Sequence, residues 1–194
     1  EIITARAALI YAFDEHWFKE QRPWRYEKGR TGGGIVIDGG AHWIRPLRMW
    51  MGELKEVVGV LGYPLAQMEG ESLARALFRF ESGKTAVFDA MMIDTTFAPE
   101  PWWRITGTKG ELTINAGIDG ADLWLWDENN PKGKKLFSSP GYLDSFGLEL
   151  ADFAAAILDG KPLAAGPEQA LGELRTALAL YRSVESGRWE QVWS

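Results

Sequence analysis

The stretch GGGIVIDGGAHWIRPLRMWMG, residues 32–52, decides how the rest of this 194-residue chain is read. From Ile35 to Met51 the apolar positions Ile37, Ala41, Ile44, Leu47 and Trp50 recur at three- and four-residue intervals, which predicts a helix, with Gly52 as its stop. Pro46 lies inside it. It has no N–H for the carbonyl of His42 and its ring crowds that carbonyl, so a kink is expected one turn past His42. Asp38 and His42 are four residues apart and would share one face of a continuous helix. A carboxylate beside an imidazole favours the protonated ring and orients it, as a general acid or base near neutral pH requires. The same spacing equally fits a buried hydrogen-bonded pair or a solvated face, and spacing alone leaves these readings open. Five glycines between residues 32 and 42 weigh toward function, since each costs up to about 1 kcal/mol against alanine in a helix. At Gly39 and Gly40 they would let a ligand or a partner domain approach the backbone closely.

On the N-terminal side, residues 2–13 read as a strand ending in Asp14-Glu15-His16, and residues 14–31 as a long loop rich in aromatics. A loop of that length in a compact domain is usually functional or disordered, and its aromatics argue for an active-site-side loop. Trp24 and Arg25 suit a polyol ligand, by ring stacking and by pairing with a hydroxyl or carboxylate. Alternatively, Trp24 plugs the loop onto the domain. Asp14-Glu15-His16 reads as a solvated turn, because adjacent residues rarely point at one ion; no metal site is expected.

On the C-terminal side the period changes from helical to alternating. Strands are expected at 57–61, 72–80, 85–93, 102–106, 111–115, 123–126 and 135–138. Gly107-Thr108-Lys109-Gly110 has hairpin chemistry, and the short links favour a largely antiparallel sheet. Two helices follow, one with the stripe Phe146, Leu150, Phe153 and Ile157. The second starts at Gly166-Pro167, carries Leu171, Leu174, Leu178, Tyr181 and Val184, and ends at Gly187. The fold class is α+β: a large, mostly antiparallel sheet with helices packed on one face. Leu123-Trp124-Leu125-Trp126 is apolar on both sides. A bare apolar face marks an interface, so the other sheet face is expected to form a homodimer or higher homo-oligomer. Trp102-Trp103 and Trp124/Trp126 belong to core or interface, with a carbohydrate platform as the alternative.

Composition excludes several classes. A net charge of −6 gives no electrostatic footprint for nucleic acid or an anionic membrane. No apolar run reaches the roughly 18 residues of a membrane span, and no secretory signal opens the chain. Zero cysteines exclude disulfides and thiolate metal sites and fit a cytoplasmic setting. Glu1-Ile2-Ile3 runs directly into strand-like sequence without a methionine, as a cut through a longer protein would.

The run 32–52 resembles the helix that opens the C-terminal domain of the glucose–fructose oxidoreductase / inositol dehydrogenase family, with its Gly-Gly-Gly start, an Asp, and a His four residues on. Glu81-Ser82-Gly83-Lys84-Thr85-Ala86, the Ile105-to-Leu112 turn, and the segment from Asp152-Phe153 to Gly187-Arg188 resemble the same family in the same order. The resemblance implies a two-domain oxidoreductase acting on a sugar, polyol or related hydroxy compound by hydride transfer. Its N-terminal Rossmann half would bind NAD or NADP and supply a lysine, typically in a Glu-Lys-Pro motif. This chain has neither that motif nor a G-x-G-x-x-G after a strand. It is therefore expected to bind no cofactor alone and to be inactive alone. Under the resemblance His42 would exchange a proton with the substrate hydroxyl and Asp38 would hold the imidazole. The position three after the histidine is often acidic in the family and is Arg45 here. That arginine suits an anionic substrate group, a surface ion pair, or a member without dehydrogenase activity. The alternative to an enzyme half is a non-catalytic ligand-binding or assembly module on the same fold.

Overall fold

The computed structural model describes residues 1–12, 23–96, 98–117 and 120–193. Nine strands form one sheet: β1 (Ile2–Ala12), β2 (Leu54–Gly62), β3 (Leu73–Phe80), β4 (Thr85–Ile93), β5 (Trp103–Gly107), β6 (Gly110–Ala116), β7 (Ala121–Asp127), β8 (Asn130–Ser139) and β9 (Glu190–Gln191). Their order is β8-β7-β6-β5-β1-β4-β3-β2-β9. Neighbours are antiparallel except β1 and β4, which run parallel from Thr4↔Thr85 to Ala12↔Ile93. A parallel pair needs a crossover connection, and residues 23–52 are part of it. They form a 3-10 turn (Pro23–Tyr26), α1 (Lys28–Thr31), α2 (Ile35–Asp38) and α3 (Gly40–Met51). Two long helices, α4 (Tyr142–Asp159) and α5 (Pro167–Ser186), complete the α+β architecture.

Alternation sorts the sheet faces as the sequence predicts. Ala74, Ala76, Phe78 and Phe80 of β3, with Ala86, Phe88, Ala90 and Met92 of β4, are buried under the helices. Phe78 and Phe88 stack with ring centroids 5.5 Å apart. The opposite face carries Arg75, Leu77 and Val87, with Arg6 of β1 bonded to the buried Asp89 at 2.7 Å.

Four expectations are corrected. Residues 23–31 are largely helical rather than loop, while the rest of the expected loop, including Asp14-Glu15-His16, lies outside the described residues. The helix expected over 35–51 is interrupted at Gly39, between α2 and α3, and Pro46 lies inside α3. The leucine stripe of α5 faces outward: Leu171, Leu174 and Leu178 are each more than 40 % exposed. Its inner face buries Gly172, Glu173, Thr176, Ala177, Ala179 and Ser183 instead, with Leu180 the one buried leucine among them. This follows from close packing, since a Cβ on Gly59 of β2 would meet the backbone oxygen of Arg75 at 2.6 Å and crowd Leu180. Finally, the expected stripe of α4 exists but nothing in the described chain covers it, and no residue of α4 is buried. Leu143, Leu150, Phe153 and Ile157 are all more than half exposed.

Candidate active site

The segment 32–42 is set by glycines that admit neighbouring atoms. Gly32 takes φ +81°, a left-handed conformation that closes α1. A Cβ on Gly33 would lie 2.8 Å from Cζ of Tyr181, and one on Gly34 would lie 2.5 Å from the backbone nitrogen of Glu71 and overlap its carbonyl. A Cβ on Gly39 would lie 2.9 Å from Leu9, and one on Gly40 would lie 3.3 Å from Phe88. The space expected for a ligand or partner domain at Gly39 and Gly40 is therefore filled by the protein's own sheet. For the same reason Gly33 and Gly34, filled by Tyr181 and Glu71, do not fit the phosphates of a dinucleotide.

Asp38 and His42 do not pair. The backbone break at Gly39 separates them, and His42 N–H bonds the Gly39 carbonyl at 3.1 Å in a three-residue turn. The i,i+4 geometry of an unbroken helix no longer applies. Asp38 instead accepts two short bonds from one nitrogen of Arg25. A guanidinium stays charged at any working pH and outcompetes a neutral imidazole for that carboxylate. Trp24 lies against the same guanidinium, 5.2 Å from its carbon to the ring centroid. Trp24, Arg25 and Asp38 thus come together as the spacing could not foretell. Tyr11, at the end of β1, joins them. Burial first, and then the negative charge of Asp38, push its hydroxyl up to about 12, with Arg25 opposing.

His42 is exposed. Its ring meets Trp43 and, from a hundred residues downstream, Tyr142 at the start of α4, each edge-on at 6.4 Å. Among the described residues it makes no side-chain hydrogen bond, which leaves both ring nitrogens available. Behind it Trp43 packs on Trp102 and Trp103, at 4.9 and 5.6 Å between centroids. Those two tryptophans serve the core beneath the site. Two concavities of about 420 and 250 Å³ lie along β5–β7 and touch neither Asp38 nor His42. Arg45 points away from this cluster. Its guanidinium donates to the Ala164 carbonyl at 2.9 Å and lies 3.6 Å from Glu173, so it ties α3 to the start of α5. An ion pair, one of its three sequence readings, is present in the structure. No three His, Cys, Asp or Glu side chains gather as metal ligands among the described residues.

Residues 9–192 match the profile described as Oxidoreductase family, C-terminal alpha/beta domain. The chain belongs to that family. The "Uncharacterized oxidoreductase ORF334" of Rhizobium meliloti is 27% identical over 171 residues, covering 83% of this chain and 49% of that protein. An oxidoreductase from Agrobacterium radiobacter, solved in complex with NAD+, L-tartaric acid and magnesium, superposes with a TM-score of 0.81 at 20% identity. That match covers 99% of this chain and 57% of the other. Aldose-aldose oxidoreductase from Caulobacter crescentus, complexed with glycerol, gives 0.80 at 21% identity over 98% and 55%. At such identities the structural likeness speaks for the fold. The chain spans about half the length of the curated relative, and within it this oxidoreductase domain holds Tyr11, Arg25, Asp38, His42 and Tyr142 on one side of the sheet's central strands.

Proposed function

We propose that this chain is the substrate-binding half of an NAD(P)-dependent oxidoreductase that oxidises or reduces a sugar, polyol or related hydroxy compound. The carrying observation is His42, an exposed imidazole with no side-chain hydrogen bond among the described residues, next to Trp43 packed on Trp103 and beside Tyr142. Such a group can take a proton from a substrate hydroxyl, a step typically contributing 10²–10⁴-fold. Arg25, Asp38 and Trp24 form a polar-and-aromatic wall that suits a hydroxylated ligand. The nicotinamide, which a nucleotide-binding half would hold, would accept or donate the hydride. The polyhydroxy ligands named for the Agrobacterium and Caulobacter proteins support this substrate class. By itself the chain is proposed to be inactive. The test joins the chain to a nucleotide-binding half and screens sugars and polyols for NAD(P)-linked turnover. His42→Ala is expected to lower kcat at least 100-fold with cofactor affinity unchanged; retained turnover in that variant removes the proposal.

A second reading, a non-catalytic ligand-binding or assembly module, draws on Asp38 being neutralised by Arg25 rather than paired with His42. Ligand binding without any turnover in the joined protein would favour it. We also propose that the open sheet face, where Val60 is 59% and Leu77 49% exposed, pairs two copies of the protein. Light scattering is expected to give a dimer that Leu77→Glu dissociates, and a monomer at micromolar concentration would exclude it.

A further inference from the structure

Glu71 is a buried charge to which the chemistry above gives no role. The residue is 2% exposed, just ahead of β3. Its oxygens take three successive amides of the glycine segment. Carboxylate Oε2 accepts from Gly34 at 2.9 Å, the main-chain oxygen from Ile35 at 2.8 Å, and Oε1 from Val36 at 3.0 Å. Tyr181 Oη, from α5, donates to the same Oε1 at 2.8 Å. Burial and the charge of Glu71 both push the Tyr181 hydroxyl well above its usual range, so it remains a donor. The three amides open α2 and have no partner inside it. The grip propagates along the chain: Asp38 N–H bonds the Gly34 carbonyl and Gly39 N–H the Ile35 carbonyl, both at 3.0 Å. Steric fit closes the same joint, because a Cβ on Gly70 would lie 2.6 Å from the Gly33 oxygen.

Capping a short helix does not require this arrangement. A serine or asparagine at the N-cap satisfies an amide without burying an ion, whereas a buried carboxylate must recover a large desolvation cost through its partners. What the carboxylate adds is a fixed register between the glycine segment, the start of β3 and α5. We propose that Glu71, braced by Tyr181, is the positioning residue of the candidate site, holding the turn that presents Asp38 and His42. The proposal rests on His42 as the proton-exchanging group.

The test uses the whole protein, with this chain joined to its nucleotide-binding half. Glu71→Gln keeps the shape but turns one acceptor oxygen into a donor facing an amide; Tyr181→Phe removes a single donor. Displacement of a catalytic group by about 1 Å costs on the order of 100-fold. Glu71→Gln is therefore expected to lower kcat for polyol oxidation about 10- to 100-fold and Tyr181→Phe several-fold, with KM for the dinucleotide within about twofold. The double variant should lose no more than Glu71→Gln alone, because Tyr181 acts through the Glu71 side chain. Unchanged kcat per folded molecule in both variants, with only a lower Tm, overturns the proposal and leaves Glu71 a cap. If Glu71→Gln does not fold, Tyr181→Phe decides by the same two results. His42→Ala, run alongside, separates the two levels: lost activity there with unchanged kcat in the Glu71 and Tyr181 variants refutes positioning alone, and retained activity refutes both.

Discussion

Alanine placed in turn at Gly32, Gly33 and Gly34 should give three different penalties, in rising order. At Gly32 a methyl meets open space but the backbone sits at φ +81°, which costs a side chain roughly 1–2 kcal/mol. At Gly33 the methyl meets the phenol end of Tyr181. That ring can swing aside by giving up its bond to Glu71, about 1.5–3 kcal/mol for a bond to a charged acceptor. At Gly34 the obstacle is the backbone of Glu71 itself, which cannot move without releasing all three amides. Two charged bonds and one neutral bond amount to about 4–7 kcal/mol, comparable with the whole stability of many domains, about 5–15 kcal/mol. Urea unfolding followed by tryptophan fluorescence reads the series directly. Gly29→Ala in α1 is the control, with nothing within 4 Å of the new methyl, and should be neutral or stabilising by up to about 1 kcal/mol. In a Tyr181→Phe background the Gly33→Ala penalty should shrink. Gly34→Ala no worse than Gly32→Ala would refute the idea that these glycines exist for close approach.

Two further outcomes are expected. Arg48, with 4% of its side chain exposed, joins Glu53, Glu173 and the Gln169 carbonyl, so Arg48→Ala should cost about 3–5 kcal/mol. Burial holds the Glu173 carboxyl above its ordinary 4.5 against the pull of Arg48 and Arg45. The folded state thus binds that proton more tightly, and the associated stability is full below pH 4.5 and lost as pH rises through the folded value. Without Arg48 the folded value climbs further, so the deficit of Arg48→Ala should be larger at pH 8 than at pH 5; a pH-independent deficit counts against it. For Tyr11, the 13Cζ resonance should titrate near 12. It should move down in Asp38→Asn yet stay above 10, since burial is the larger cause; no movement would place Asp38 too far away to matter.

Features encoded within a few residues were legible in the sequence. Alternation in 73–80 gave the buried face of β3, and Gly107 to Gly110 gave the β5–β6 hairpin, because a strand's period and a turn's chemistry are local. The partners of the site were not. The i,i+4 rule joined Asp38 to His42, but it presumes an unbroken helix, and the helix is interrupted at Gly39. The true partner, Arg25, sits thirteen residues earlier, in a segment read as loop. Glu71 carried no signal, since one Glu in a polar stretch looks like any solvated residue. The leucines of α5 show how periodicity finds a stripe without saying which way it faces.

That misreading and the hidden Glu71 have one cause. The segment 34–51 is clamped near both ends by buried charges, and both clamps close on α5. Glu71 grips the start and is braced by Tyr181, while Arg48 grips the end through Glu173 at 3.0 Å. A Cβ on Gly172 would collide with the same Arg48 guanidinium, so α5 must present small or polar residues there. That part of its inner face is thus taken up by the residues that register the segment, and Leu171, Leu174 and Leu178 are left for the outer one. His42 lies midway between the clamps, held through backbone rather than through its own side chain. An imidazole held from behind, with no side-chain hydrogen bond among the described residues, is what the proposed proton exchange with an incoming hydroxyl requires.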